Sequence, residues 1–120
     1  MAGTDAGSIA SACLAAWTSG DMERTRALLD DAVRFVGPLG QTVGADEYIS
    51  GVGGLAQIVT GADQHEVIVD GDDVCIIYDL VTKTEAGAIP CAGWYQVRDG
   101  RVAWVRVYFD PRPLLEALAS

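Results

Sequence analysis

The spacing of apolar residues changes half-way along the chain, from a helical period to a strand period. From Ser8 to Trp17 the residues Ile9, Ala12, Cys13, Ala16 and Trp17 recur three and four apart, which predicts a helix broken by Ser19-Gly20-Asp21. Asp21 is placed to cap a second helix, Met22 to Leu29, which Asp30-Asp31 ends. A β-leaning stretch, Ala32 to Val36, follows, and Gly37-Pro38-Leu39-Gly40 turns the chain. A third helix is predicted from Ala45 to about Val59. Gly51, Gly53 and Gly54 each cost it on the order of 1 kcal/mol relative to alanine, which suggests a kink, close backbone packing or a shorter helix.

From Gln64 onward the pattern is strand after strand. His65 to Val69, Val74 to Thr84, Ile89 to Arg98 and Arg101 to Phe109 are separated by Asp70-Gly71-Asp72, Glu85-Ala86-Gly87 and Asp99-Gly100. An Asp-Gly pair between two such runs is a hairpin signal. Strands joined by short turns make an antiparallel meander, and helices grouped before strands predict an α+β fold. The expected architecture is a strongly curved, cone-shaped antiparallel sheet with three N-terminal helices packed on one face.

Composition narrows the possibilities. A chain of 120 residues that is 50% hydrophobic and 21% charged fits one globular domain over residues 1–120. The net charge of -9, from 17 acidic and 8 basic side chains, repels phosphate backbones and anionic lipid, so neither nucleic acid nor a membrane is expected as partner. Met1-Ala2-Gly3-Thr4-Asp5 has no basic region leading into an apolar run, and a cytoplasmic location is expected. Cys13, Cys75 and Cys91 are odd in number with no close pair, which predicts small core residues rather than disulfides. No His/Cys cluster suggests a metal, and no cofactor is expected.

The order of helix, Ser19-Gly20-Asp21, helix, strand, Gly37-Pro38-Leu39-Gly40, helix and meander resembles the ketosteroid isomerase-like (nuclear transport factor 2-like) superfamily. That group includes SnoaL-type polyketide cyclases and limonene epoxide hydrolases. The nearest local matches are Val69-Asp70-Gly71-Asp72-Asp73-Val74, and Val97 to Val102 leading into Arg106-Val107-Tyr108-Phe109-Asp110. The resemblance implies a concave sheet face that holds a small hydrophobic molecule and a convex face that often pairs in a dimer. It also implies that the isomerases' first-helix tyrosine, base aspartate and proton-sharing aspartate fall near Cys13, Gly37 and Gly93. Epoxide hydrolases have an Asp-Arg-Asp set, whose positions match Asp79, Val81 and Val107. Neither set is complete.

The match implies that Val105, Val107 and Phe109, then Ile89, Cys91, Gly93 and Tyr95, and also Cys75, Ile77, Asp79 and Val81, face the pocket. Asp79 then stands as a carboxylate among apolar neighbours, a setting suited to general acid–base catalysis unless it is solvated or paired with an arginine. His65, the sole histidine, opens the neighbouring strand; it could donate to Asp79 or relay a proton, or be an ordinary strand-end residue. Trp17, Phe35, Tyr48, Cys91, Tyr95, Val107 and Phe109 are the expected substrate contacts, with core packing the alternative for any one of them. Trp94, Trp104, Arg106 and Tyr108 share the outward register, an aromatic-arginine face suited to a homodimer. The function expected is proton transfer, such as isomerisation, cyclisation or epoxide opening, on a small cyclic hydrophobic molecule. The alternative is a non-catalytic binding or dimerisation module.

Overall fold

Both early helices start on aspartate caps. In the computed structural model, which describes residues 5–119, the Asp5 carboxylate accepts the Ser8 N–H at 2.7 Å and opens α1, Ala6–Thr18. The reading of Met1-Ala2-Gly3-Thr4 lies outside those residues. Asp21 accepts the Arg24 N–H at 3.0 Å and opens α2, Met22–Leu28. Each cap satisfies a backbone donor that the first helical turn leaves unpaired. Strand β1, Leu29–Gly37, turns back into β2, Gly40–Val43, before α3, Ala45–Ala56. Then come β3, Val59–Asp70; β4, Asp73–Thr82; β5, Ala88–Arg98; β6, Arg101–Tyr108; and α4, Arg112–Ala119.

The six strands form one curved, unclosed sheet in the order β2-β1-β6-β5-β4-β3. All neighbours are antiparallel except β1 and β6, which are parallel, so the sheet is mixed. A parallel pair needs a long crossover, and the whole stretch from β2 to β5 supplies it. The β5–β6 hairpin closes on Asp99 and Gly100, both at positive φ (52° and 76°), the backbone that an Asp-Gly turn allows. Two strand segments escaped the hydrophobic pattern: β2, and the beginning of β3 from Val59 to Gln64. Gly61, Ala62 and Asp63 have weak strand preference alone, and the β4 ladder holds them extended.

The concave face is the core. Val74, Ile76, Tyr78 and Leu80 on β4, Ile89, Cys91, Tyr95 and Val97 on β5, and Val102 and Val105 on β6 pack under Ile9, Ala10, Cys13, Leu14 and Trp17 of α1 and Tyr48 and Val52 of α3. The inward register expected for β5 and for Val105, Val107 and Phe109 agrees with this. That of β4 is reversed: Cys75, Ile77, Asp79 and Val81 lie on the convex side, because the buried positions are Val74, Ile76, Tyr78 and Leu80. An offset of one residue flips every side chain of a strand to the other face. Val74-Cys75-Ile76-Ile77-Tyr78 is apolar throughout, so it carries no alternation to reveal the offset.

Candidate functional site

A bulge, a hairpin and a glycine helix shape the ligand-sized space of the concave side. β1 carries Phe35 inward, opposite Val105 of β6, and the β1–β2 hairpin then folds over at residues 37–42. With Tyr48, Gly51, Val52 and Leu55 of α3 and Phe109 beyond β6, they enclose a cavity of about 280 Å³. Phe35 and Tyr48 meet edge to face, ring centroids 5.7 Å apart and planes at 79°. Such pairs add about 0.5–1.5 kcal/mol beyond the area they bury and hold both rings in place at the cavity wall.

The interior beside this wall is polar but uncharged. The Tyr48 hydroxyl and the Cys13 thiol interact with each other; burial pushes Tyr48 well above the usual tyrosine range and Cys13 up to about 12. Deeper on the sheet, Tyr78 is likewise raised by burial and contacts Cys91, whose thiol burial pushes up to about 11 and which also donates to the Ile89 carbonyl at 3.4 Å. Tyr95 is fully buried and raised for the same reason. These groups therefore offer neutral hydroxyls and thiols at physiological pH. Thr42, on the cavity wall, has a hydroxyl oxygen buried with no hydrogen-bond partner.

A family model for the SnoaL-like domain matches residues 10–105. The chain belongs to the SnoaL-like domain family. Among solved structures it is similar to a Kribbella flavida protein (24% identity, TM-score 0.87, covering 98% of this chain and 95% of that one). It is also similar to an NTF2-like protein of unknown function from Cytophaga hutchinsonii (25%, 0.79, 92% and 94%). A third is an LEH-like epoxide hydrolase from M. tuberculosis (22%, 0.76, 95% and 92%). No curated protein matches the chain.

In this SnoaL-like domain, aromatic rings fill the room beside the two glycines that resemblance aligns with isomerase aspartates. A Cβ at Gly37 would lie 2.8 Å from the Phe35 ring, and one at Gly93 would lie 2.9 Å from Tyr95 and 3.6 Å from Tyr78. At the third position, Cys13 faces the Tyr48 hydroxyl rather than being a tyrosine itself. On β4 the positions that the resemblance assigned to the epoxide hydrolase set, Asp79 and Val81, lie on the convex side, and the inward residues there are Tyr78 and Leu80.

The structure brings His65 and Asp79 together, His65 Nε2 lying 3.1 Å from Asp79 Oδ2, but on the convex face. There the two side chains are 54% and 33% exposed, which corrects the expectation of a carboxylate among pocket aromatics. A β3 bulge produces the contact. Gln64 pairs with Tyr78 and Glu66 with Ile77, leaving His65 as the extra residue. Gln64 instead turns inward to α1, where Ser11 Oγ donates to its Oε1 at 2.7 Å. Of the expected substrate contacts, Phe35, Tyr48 and Phe109 line the cavity, whereas Trp17, Cys91, Tyr95 and Val107 pack in the core outside its lining. Thr42 and Leu55 went unnoticed in the sequence. Thr42 falls in a strand too short to show a period, and Leu55 is one apolar residue in a glycine-rich helix.

Proposed function

We propose that this SnoaL-like domain binds a small, uncharged, cyclic hydrophobic molecule in the cavity between Phe35, Tyr48, Leu55 and Phe109. One observation carries the reading: the cavity is walled by apolar side chains, Phe35, Leu39, Val52, Leu55 and Phe109 among them, and no charged residue lines it among the described residues. Such walls suit binding by burial of apolar surface, oriented by a few polar groups. The volume of about 280 Å³ is near the lower limit of about 300 Å³ for ligand pockets, so the ligand is of one or two rings. Binding of such a ring compound, followed by NMR titration, should be constant from about pH 5 to 9, because Cys13 and Tyr48 keep their protons throughout that range. Leu55→Trp, which fills the cavity, should weaken it at least about tenfold. Undiminished binding by that variant would overturn the assignment.

A second reading, proton-transfer catalysis, is favoured by the His65–Asp79 contact at 3.1 Å. In that reading Asp79 orients or exchanges a proton with His65, and the substrate docks on the convex face. Asp79→Asn would then reduce turnover about 100- to 10,000-fold and leave cavity binding intact.

In the binding reading, where no substrate docks on it, the convex face supports a homodimer as the protein partner. Ile68, Ile77, Trp94 and Tyr108 are exposed on it, and Arg106, 5.4 Å from the Trp104 ring, has a buried Nε without a partner. Carboxylates of Asp63, Glu66, Asp70 and Asp73 gather toward β3, and Arg34 and Arg106 toward β1 and β6. A two-fold axis through the middle of the face sets each acidic side against the partner's basic side.

A further inference from the structure

One side chain is missing from the cavity wall, and its absence weakens the helix that lacks it. Tyr48, Gly51, Val52 and Leu55 of α3 all line the cavity, and their spacing of three and four puts them on one face of the helix. A side chain at Gly51 would therefore start out toward the cavity. A Cβ built there meets no other side chain and no neighbouring element within 4 Å. Gly54 is equally uncrowded but falls outside the cavity lining. A glycine inside a helix lowers its stability relative to alanine, and neither a positive φ nor a close contact requires one at Gly51. What the glycine leaves is room in the cavity.

We infer that Gly51 keeps the cavity wide enough for the second ring of a flat, uncharged bicyclic ligand, and so sets the largest ligand the site accepts. This rests on the cavity being the binding site. One ring lies deep, against Phe35, Tyr48 and Val52; the second lies across the bare backbone of Gly51, on the solvent-exposed side of the cavity where Leu39 is also exposed. Burial of apolar area holds such a ligand, so a second ring adds affinity only where no side chain already fills its place. Leucine adds four carbon atoms to glycine, as many as a fused aromatic ring adds to a single one. Gly51→Leu thus replaces the second ring with protein.

The test titrates phenol and 2-naphthol, one ring and two with the same single hydroxyl, by NMR at about pH 7 into the native protein, Gly51→Leu, Gly51→Ala and Gly54→Leu. The native protein should bind 2-naphthol about tenfold more tightly than phenol. In Gly51→Leu the binding of 2-naphthol should weaken about tenfold while that of phenol stays within about threefold, the retained phenol binding reporting an intact cavity. Gly51→Ala, the smaller change, should weaken 2-naphthol alone by about two- to threefold. Gly54→Leu makes the same change in the same helix outside the cavity lining and should alter neither probe. Equal native affinity for the two probes, equal effects of the Gly51 variants on both, no effect on either, or the same loss in Gly54→Leu would overturn the role of Gly51 and leave the cavity as the binding site. If neither probe binds the native protein, the cavity assignment itself falls.

Discussion

At the scale of single residues, aromatic rings crowd two inward-facing glycines. Gly93 and Gly37 occupy comparable inward positions, yet the space beside them differs in what can move. A methyl group at Gly93 would press on Tyr95, which is fully buried and has no room to shift. One at Gly37 would press on the far edge of the Phe35 ring, which borders the cavity and can swing into it. Gly93→Ala should therefore destabilise the fold by about 1–3 kcal/mol, read from urea unfolding. Gly37→Ala should cost less stability but weaken ligand binding, because the displaced ring takes up cavity volume. Equal losses of stability in the two variants would contradict this account. Gly93→Asp meets the same wall of Tyr95 and Tyr78.

At the scale of elements, α3 runs unbroken from Ala45 to Ala56 although Gly51, Gly53 and Gly54 lie within it. Close packing does not account for two of them. A methyl group at Gly51 or Gly54 would meet no atom within 4 Å, and one at Gly53 would only reach Met22 Sδ at 3.9 Å. Alanine at Gly51 or Gly54 should then stabilise the protein by about 0.5–1 kcal/mol each, raising the thermal midpoint, by restricting the unfolded chain. A fall in the midpoint would show that the helix needs these glycines' freedom. The β3 bulge is the other element-level device. One extra residue lets His65 and Glu66 both serve the outer face while Gln64 and Val67 serve α1, a grouping that strict alternation forbids.

At the scale of the molecule, the convex face is unlike an ordinary solvated sheet. Tyr108 is 55% exposed at its centre, opposite Ala92, and Trp94 lies beside Cys75 with its indole N–H donating to Asp73 at 2.9 Å. Among the described residues α4 does not cover it, since Leu114 of that helix is buried with the concave core. Light scattering at about 10–50 μM, where a dimer of micromolar affinity is populated, should give twice the chain mass. Tyr108→Arg, which puts two further cations at the two-fold axis, should shift the protein to monomer without unfolding it. A monomeric native protein at those concentrations would refute the self-complementary face.

Along the chain, local patterning was enough for α1 to α3, the capping role of Asp21 and the meander, because each depends on contacts a few residues apart, whereas the inward register of β5 followed from the family resemblance and α4 had no counterpart in the expected fold. Aromatic content alone did not separate cavity from core: Phe35, Tyr48 and Phe109 line the cavity, whereas Trp17 and Tyr95 from the same set pack in the core, because only tertiary packing decides which rings border open space. The pairing of His65 with Asp79 was legible as adjacency of strands, but its face was not. β4 is apolar at nearly every position between Val74 and Ile77, so only the ladder to β3 and β5 decides which residues turn inward. The parallel pairing of β1 with β6, the strand character of Thr42 and the isolation of its hydroxyl were likewise decided in three dimensions. Each depends on segments about 70 residues apart or on a neighbour across a hairpin, and no local period records such contacts.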